Sequence, residues 1–218
     1  MAKAARKNII ISKKTVKRLN KKEDIIKVAA KLFSQKSFHD VKMDEIAEEL
    51  SIAKGTIYLY FKSKEKLYLE ILEESYEAIE AILENEIAID EPSPVKLKKV
   101  LGIIFSFYKR NLDVLKILSR DETHLIKEHF EFTEHWRLRR LKFYEIILEK
   151  GIREGSFIVQ NPKLTALIIF GLVRSVMFFY STKKDTADLA EEVYYVITNG
   201  ILSSKVSKLE KKLKVMNH

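Results

Sequence analysis

Apolar residues recur along most of the chain at intervals of three and four, the period of a helix with one buried face. From Asp24 to Gln35 they fall at Ile25, Ile26, Ala29, Ala30, Leu32 and Phe33, and the stretch SFHDVK then breaks the pattern as a turn. Asp44 to Leu50 carries Ile46, Ala47 and Leu50 on one side and Asp44, Glu45, Glu48 and Glu49 on the other. Only Ser51, Ile52 and Ala53 separate it from KGTIYLYF, Lys54 to Phe61. Two short helices joined so tightly make a helix-turn-helix. Ser63 is placed to cap a long helix from Lys64 to about Ile87, with apolar positions at Leu67, Ile71, Leu72, Tyr76, Ile79, Ile82 and Leu83.

Pro92 and Pro94 mark a break, after which helices are expected near Val95 to Asn111, Leu112 to Asp121 and Glu122 to Lys150. Gly151, Gly155 and Pro162 punctuate a loop, and two further helices follow at Lys163 to Ser181 and Asp185 to Leu202. No segment reads as a strand. The expected fold is all-α, a small three-helix head followed by a larger helical bundle. The boundaries that follow are an arm over 1–22, a head over 23–68, a body over 69–203 and a basic tail over 204–218. In that tail Val206, Leu209 and Leu213 either extend the last helix or fray.

Composition narrows the function classes. The 218 residues include no cysteine, which excludes disulfides and thiolate zinc sites. The apolar run Ile9 to Ile11 is too short for a signal-peptide core. Leu164 to Tyr180 is interrupted by Arg174 and reads as too short for a membrane span, so a cytoplasmic protein without membrane contact is expected. The net charge of +9 is unevenly placed. Residues 1–22 hold Lys3, Arg6, Lys7, Lys13, Lys14, Lys17, Arg18, Lys21 and Lys22 and no acid, and the remainder is balanced at 31 basic and 31 acidic residues. A basic arm on a neutral body is either a solvated tail or a contact for a polyanion.

Burying Ile57, Tyr58 and Phe61 of KGTIYLYF leaves Lys54, Gly55, Thr56, Leu59 and Tyr60 outward. An exposed leucine and tyrosine beside a glycine suit a DNA groove. Glycine permits close backbone approach, amides at a helix N-terminus meet phosphate, and leucine touches a thymine methyl. Lys64 and Lys66 sit where a helix dipole disfavours cations, a penalty that a nearby phosphate reverses, and Lys62 joins the same patch.

The run MDEIAEELSIAKGTIYLYFKSKEKLYLEIL resembles the DNA-binding head of the TetR family of one-component transcriptional regulators, and IIKVAAKLFSQKSF is similar to its first helix. More loosely, GIREGSF and NPKLTALIIFGLVRSVMFFY resemble the family's later loop and penultimate helix. The resemblance implies a homodimer joined through the last two long helices and a divergent, ligand-binding C-terminal domain. It also implies DNA contacts from Lys42, Lys54, Gly55, Thr56, Leu59 and Tyr60, with Lys62 adding charge and Lys64 holding a phosphate. Three residues depart from the family pattern. Lys42 stands where a threonine usually caps the helix before the turn, Ala53 where a serine caps the recognition helix, and Ser51 where a turn glycine is common.

The body is rich in aromatic residues, which serve either as core or as pocket. The residues assigned to a ligand pocket or dimer interface are Phe105, Tyr108, Trp136, Phe143, Phe170, Arg174 and Phe178, and they imply a greasy effector. Arg174 either pairs with an acid across the dimer interface or anchors a ligand carboxylate. His124, His129 and His135 lack the spacing of a metal site, and no nucleotide loop or hydrolase motif occurs, so neither metal, cofactor nor enzymatic activity is expected. The functional expectation is a homodimeric repressor, released from a palindromic double-stranded operator by a small apolar effector. The alternative is an architectural, nucleoid-associated DNA-binding protein of the same fold.

Overall fold

A computed structural model describes residues 13–119, 130–180 and 186–199, and His124, His129 and the 204–218 tail lie outside them. The described residues form nine helices: α1 Lys13–Gln35, α2 Met43–Glu49, α3 Lys54–Tyr58, α4 Lys64–Ala88, α5 Ser93–Arg110, α6 Leu112–Ser119, α7 Phe130–Arg153, α8 Pro162–Phe179 and α9 Thr186–Asn199. No strand occurs among them.

Two hydrophobic cores organise these helices. The head core joins Ile25, Ala29 and Phe33 of α1 to Ile46 of α2, Ile57 of α3 and Leu67 and Ile71 of α4. Phe33, Phe38 and Tyr68 interlock within it, with ring centroids 5.1–5.8 Å apart. The body core is built from Ile79 and Leu83 of α4, Leu97, Leu101 and Ile104 of α5, Tyr144 and Ile147 of α7, Ile169 and Val173 of α8 and Val193 of α9. Helix α4 is thus the shared element, its first half in the head and its second half in the body. Helix α6 also reaches the head, burying Ile117 there, while Ser34 of α1 donates to Asp113 Oδ1 at 2.7 Å.

Helix ends explain several departures from the sequence pattern. Helix α5 begins at Ser93, with Pro94 inside its first turn, where a missing amide proton costs nothing. The Ser93 amide instead donates to Glu154 Oε2 at 3.0 Å, and that contact holds the Glu154 carboxyl below its ordinary range. At the end of α4 the fully buried Lys96 donates to the carbonyls of Glu86 at 3.0 Å, Ile87 at 2.7 Å and Ile89. A cation there complements both the orphan carbonyls and the negative end of the helix. After α7 the chain reverses at Gly155, whose φ of +70° favours glycine. The Phe157 ring then lies 2.1 Å from where a Cβ on Gly151 would stand.

Helix α8 is apolar enough to cross a membrane by length and composition alone, its 18 residues having a mean hydropathy of 1.6. Arg174 therefore does not break the stretch as the sequence reading supposed. The helix packs Ala166, Ile169 and Val173 into the body and leaves Leu164, Leu167, Ile168 and Phe179 exposed.

Candidate nucleic-acid interface

The turn between α2 and α3 is built with little help from caps. Lys42 and Ala53 occupy the two N-cap positions, and neither side chain makes a capping bond. Ser51 takes φ +50°, a left-handed conformation that costs a non-glycine residue about 1 kcal/mol or more. Backbone bonds hold the turn nonetheless, from the Ser51 amide to Glu48 O and from the Ile52 amide to Ala47 O, both at 3.0 Å. Ser63 supplies the one conventional cap of the region, accepting from the Lys66 amide at 3.3 Å.

Helix α3 is shorter than KGTIYLYF suggested. It ends at Tyr58, and the Tyr60 amide bonds to Ile57 O at 2.9 Å, a three-residue closure. That tightening swings Tyr60 toward the buried side, where it packs on the head core, while Ile57 and Phe61 are fully buried. Tyr58 is left outside at 44% exposure beside Leu59 at 75%. The sequence reading placed Tyr58 inside and Tyr60 outside, and the structure reverses the two. The cause is the shortened last turn, which an ideal helical period cannot anticipate.

The outward surface therefore consists of Lys54, Gly55, Tyr58 and Leu59, with Thr56 half-buried at its side. A Cβ added at Gly55 meets no atom within 4 Å, so nothing inside the protein requires glycine there. Lys54 pairs with Asp44 across the turn at 2.9 Å, which raises its ammonium pKa. Lys42 and Lys62 are exposed at the edges of the surface. Lys64 points inward, donating to Val41 O at 2.9 Å and His39 O at 3.2 Å and lying 4.5 Å from the Phe38 ring. An ammonium has three donors, so this residue ties the α1–α2 turn to α4 with one proton to spare.

The basic arm is partly helical, because α1 already begins at Lys13. Lys22 turns inward to Glu70 and Glu74 of α4, with Glu74 Oε1 at 3.7 Å. Lys3, Arg6 and Lys7 lie outside the described residues.

In the body, Phe105, Tyr108 and Phe143 are core residues, and Trp136 is buried against Tyr76 with ring centroids 5.3 Å apart. Phe170 is half-buried beside the same core. Arg174 is exposed and lies 5.2 Å from the Phe178 ring, with no acidic partner among the described residues. His135 packs edge-on against Trp136, and no group of potential metal ligands occurs among the described residues.

Two buried charged residues escaped the sequence reading. Glu80 and Arg140 are 2% and 7% exposed. Burial pushes the Glu80 carboxyl up, against the opposing charges of Arg139 and Arg140. The signal was present: Glu80 stands on the same stripe as Tyr76, Ile79 and Leu83, and Arg140 on that of Trp136, Phe143, Tyr144 and Ile147.

Comparison with known proteins agrees with this layout. Residues 25–71 match the model of bacterial regulatory proteins of the tetR family, and residues 90–201 match that of the tetracyclin repressor-like C-terminal domain. The chain is 25% identical over 171 residues to the HTH-type transcriptional repressor NicS of Pseudomonas putida, covering 76% of this chain and 77% of that protein. It is 25% identical over 191 residues to the fatty acid metabolism regulator protein of Bacillus subtilis, covering 81% and 93%. Among solved structures, the transcriptional regulator FadR from Bacillus subtilis in complex with stearoyl-CoA superposes with a TM-score of 0.72 at 23% identity, covering 83% of this chain and 99% of that one. A body of the repressor-like type argues against the architectural alternative. With both halves matched in order, and a helix-turn-helix displayed on the first, the chain is a DNA-binding transcriptional regulator and belongs to the TetR family.

Proposed function

We propose that this regulator is a homodimeric repressor whose two heads enter successive major grooves of a palindromic operator and leave it when a small apolar molecule occupies the body. The observation that carries the DNA contact is the α3 surface, where Tyr58, Leu59 and an unhindered Gly55 face solvent between Lys42 and Lys62. Leu59 and Tyr58 supply groove contacts, Gly55 lets the backbone approach, and the lysines hold phosphates on either side. Lys64 adds its third proton to a phosphate while its other two keep the head assembled. The basic residues between positions 3 and 22 supply further contacts, along the DNA backbone or in a minor groove.

The dimer is supported by the outer stripe of α8. Leu164, Ile168, Gly171 and Ser175 follow one another at helical spacing on its exposed side, and the small pair allows a second helix close approach. Tyr195 and Val196 of α9 continue the apolar exposure. Such a dimer reads half-sites about one turn of DNA apart, ~34 Å, or a multiple of it. The effector class is supported by the aromatic body, and the similar Bacillus subtilis structure holds stearoyl-CoA, so acyl chains are the first compounds to test.

The experiment is operator selection from random DNA at fixed salt, followed by a screen for compounds that release the selected site. A strong palindromic preference and release by an apolar compound support the reading. Equal affinity for all sequences contradicts it.

A further inference from the structure

The surface assigned to DNA carries an acid where repulsion from phosphate would argue for none. Helix α2 holds the acidic residues Asp44, Glu45, Glu48 and Glu49. Glu45 turns to Lys36, just past the end of α1, whereas Asp44 reaches across the turn to Lys54, the first residue of α3. Asp44 Oδ1 lies 2.9 Å from Lys54 Nζ, and Oδ2 accepts from the same ammonium at 3.0 Å. Both side chains are half-exposed.

An exposed ion pair adds little to stability, so bracing the turn is a weak reason for this one. Backbone bonds from the Ser51 and Ile52 amides already close it. Nor is Lys54 a plain phosphate clamp, because the carboxylate offsets its charge and itself repels phosphate. What the pair offers is a hydrogen-bond pattern. An ammonium has three donors and a carboxylate about four acceptor sites, so roughly one donor and two acceptor sites remain, side by side.

A G·C pair presents the complement in the major groove, where guanine O6 accepts and the cytosine N4 amino group donates. Those two atoms bond each other, so they stand about 2.9 Å apart, matching the separation of Lys54 Nζ and Asp44 Oδ1. An A·T pair also shows a donor beside an acceptor, but with the wrong neighbours. Adenine N7 next to N6 would repel the carboxylate, and the thymine methyl next to O4 would desolvate the ammonium. In guanine the neighbour of O6 is N7, a second acceptor for the lysine.

We propose that Asp44 and Lys54 act together as the reader of one G·C pair in each half-site, with the Lys54 ammonium on guanine O6 and N7 and the Asp44 carboxylate on cytosine N4. The carboxylate adds selectivity a second way, by weakening attraction to the phosphates of unrelated DNA. This inference rests on the operator-binding reading above and deepens it with Asp44, a residue that reading does not use.

The test selects sites from random DNA with the wild type, Asp44→Ala and Asp44→Asn at one salt concentration, beside a thermal melt of each. Wild-type half-sites should share a G·C position that is preferred over A·T by about tenfold or more. Asp44→Ala should reduce that preference to less than about threefold, leave the other positions unchanged and bind random DNA more tightly. Asp44→Asn presents the amide that suits adenine N6 and N7, and should move the position toward A·T. Where Asp44→Ala fails to fold, Asp44→Asn, which still accepts from Lys54, decides by that shift. N4-methylcytosine, placed at each operator cytosine in turn, blocks the groove-facing donor. At the assigned position it should weaken the wild type and leave Asp44→Ala unaffected. A pair that only braces the turn predicts the reverse, weaker binding to every sequence with all preferences intact. That result, or a wild-type site with no G·C position sensitive to Asp44, overturns the pair while leaving operator recognition standing. A wild type that selects no preferred site removes both.

Discussion

The head and the body of this regulator place their polar chemistry on opposite sides of their cores. In the head the core is wholly apolar where α1, α2 and α3 meet, and Lys42, Lys54 and Lys62 stand outside it with Tyr58 and Leu59. In the body, Glu80, Lys96 and Arg140 are themselves buried. The head faces a partner whose phosphates and base edges reach it at the surface. The body keeps its charges inside, where an interaction is felt strongly because water does not screen it. The difference teaches where each region is vulnerable: substitutions on the head surface change binding with little effect on folding, and substitutions of the body's polar residues change folding first.

The largest expected effect on that contrast comes from Arg140→Leu. It removes the buried group that hydrogen-bonds Tyr108 and leaves Glu80 with Arg139 as its remaining compensating charge, so the protein should lose about 3 kcal/mol of stability by denaturant titration. A loss below about 1 kcal/mol would show that Glu80 is sufficiently served by Arg139. Next is Lys96→Met, which keeps most of the side-chain volume and removes the three donors that close α4. A loss of about 2 kcal/mol is expected, measured the same way, and operator affinity of the folded fraction should be unchanged.

These two positions also mark how far the sequence could be read. The head was legible because its short helices are amphipathic and separated by turn residues, and the expected helix Asp44 to Leu50 is found at Met43–Glu49. The cap positions were legible too, since a lysine at 42 and an alanine at 53 have no oxygen to offer an amide. Tyr58 and Tyr60 were not, because they flank the buried face almost equally and a three-residue closure decides between them. The helical start of α1 at Lys13 was hidden by the absence of apolar periodicity in a run of lysines. In the body, aromatic residues identified the core, but nothing singled out Glu80 and Arg140. Their stripes were visible in the spacing, and only the partnership of α4 and α7 shows that the two stripes meet.

The smallest expected effect returns to the head. Ala53→Ser supplies the missing cap to α3 and should raise stability by about 1 kcal/mol, read from the denaturation midpoint. Operator affinity should change by less than about threefold, since a cap touches no base edge. A large gain in affinity would mean that the uncapped α3 is unfolded for part of the time in the free protein.

The central claim, that α3 is the surface that reads DNA, is tested most directly by Gly55→Leu. The free protein has space at that position, with no atom within 4 Å of an added Cβ. Binding to the selected operator and to random DNA, at one salt concentration, should be measured beside a thermal melt. The predicted result is a melt as in the wild type, weak binding to random DNA retained, and operator affinity reduced by at least about a hundredfold, roughly 3 kcal/mol, as groove contacts are forced apart. Operator affinity equal to that of the wild type, with folding intact, would contradict the claim and place the DNA-reading surface elsewhere.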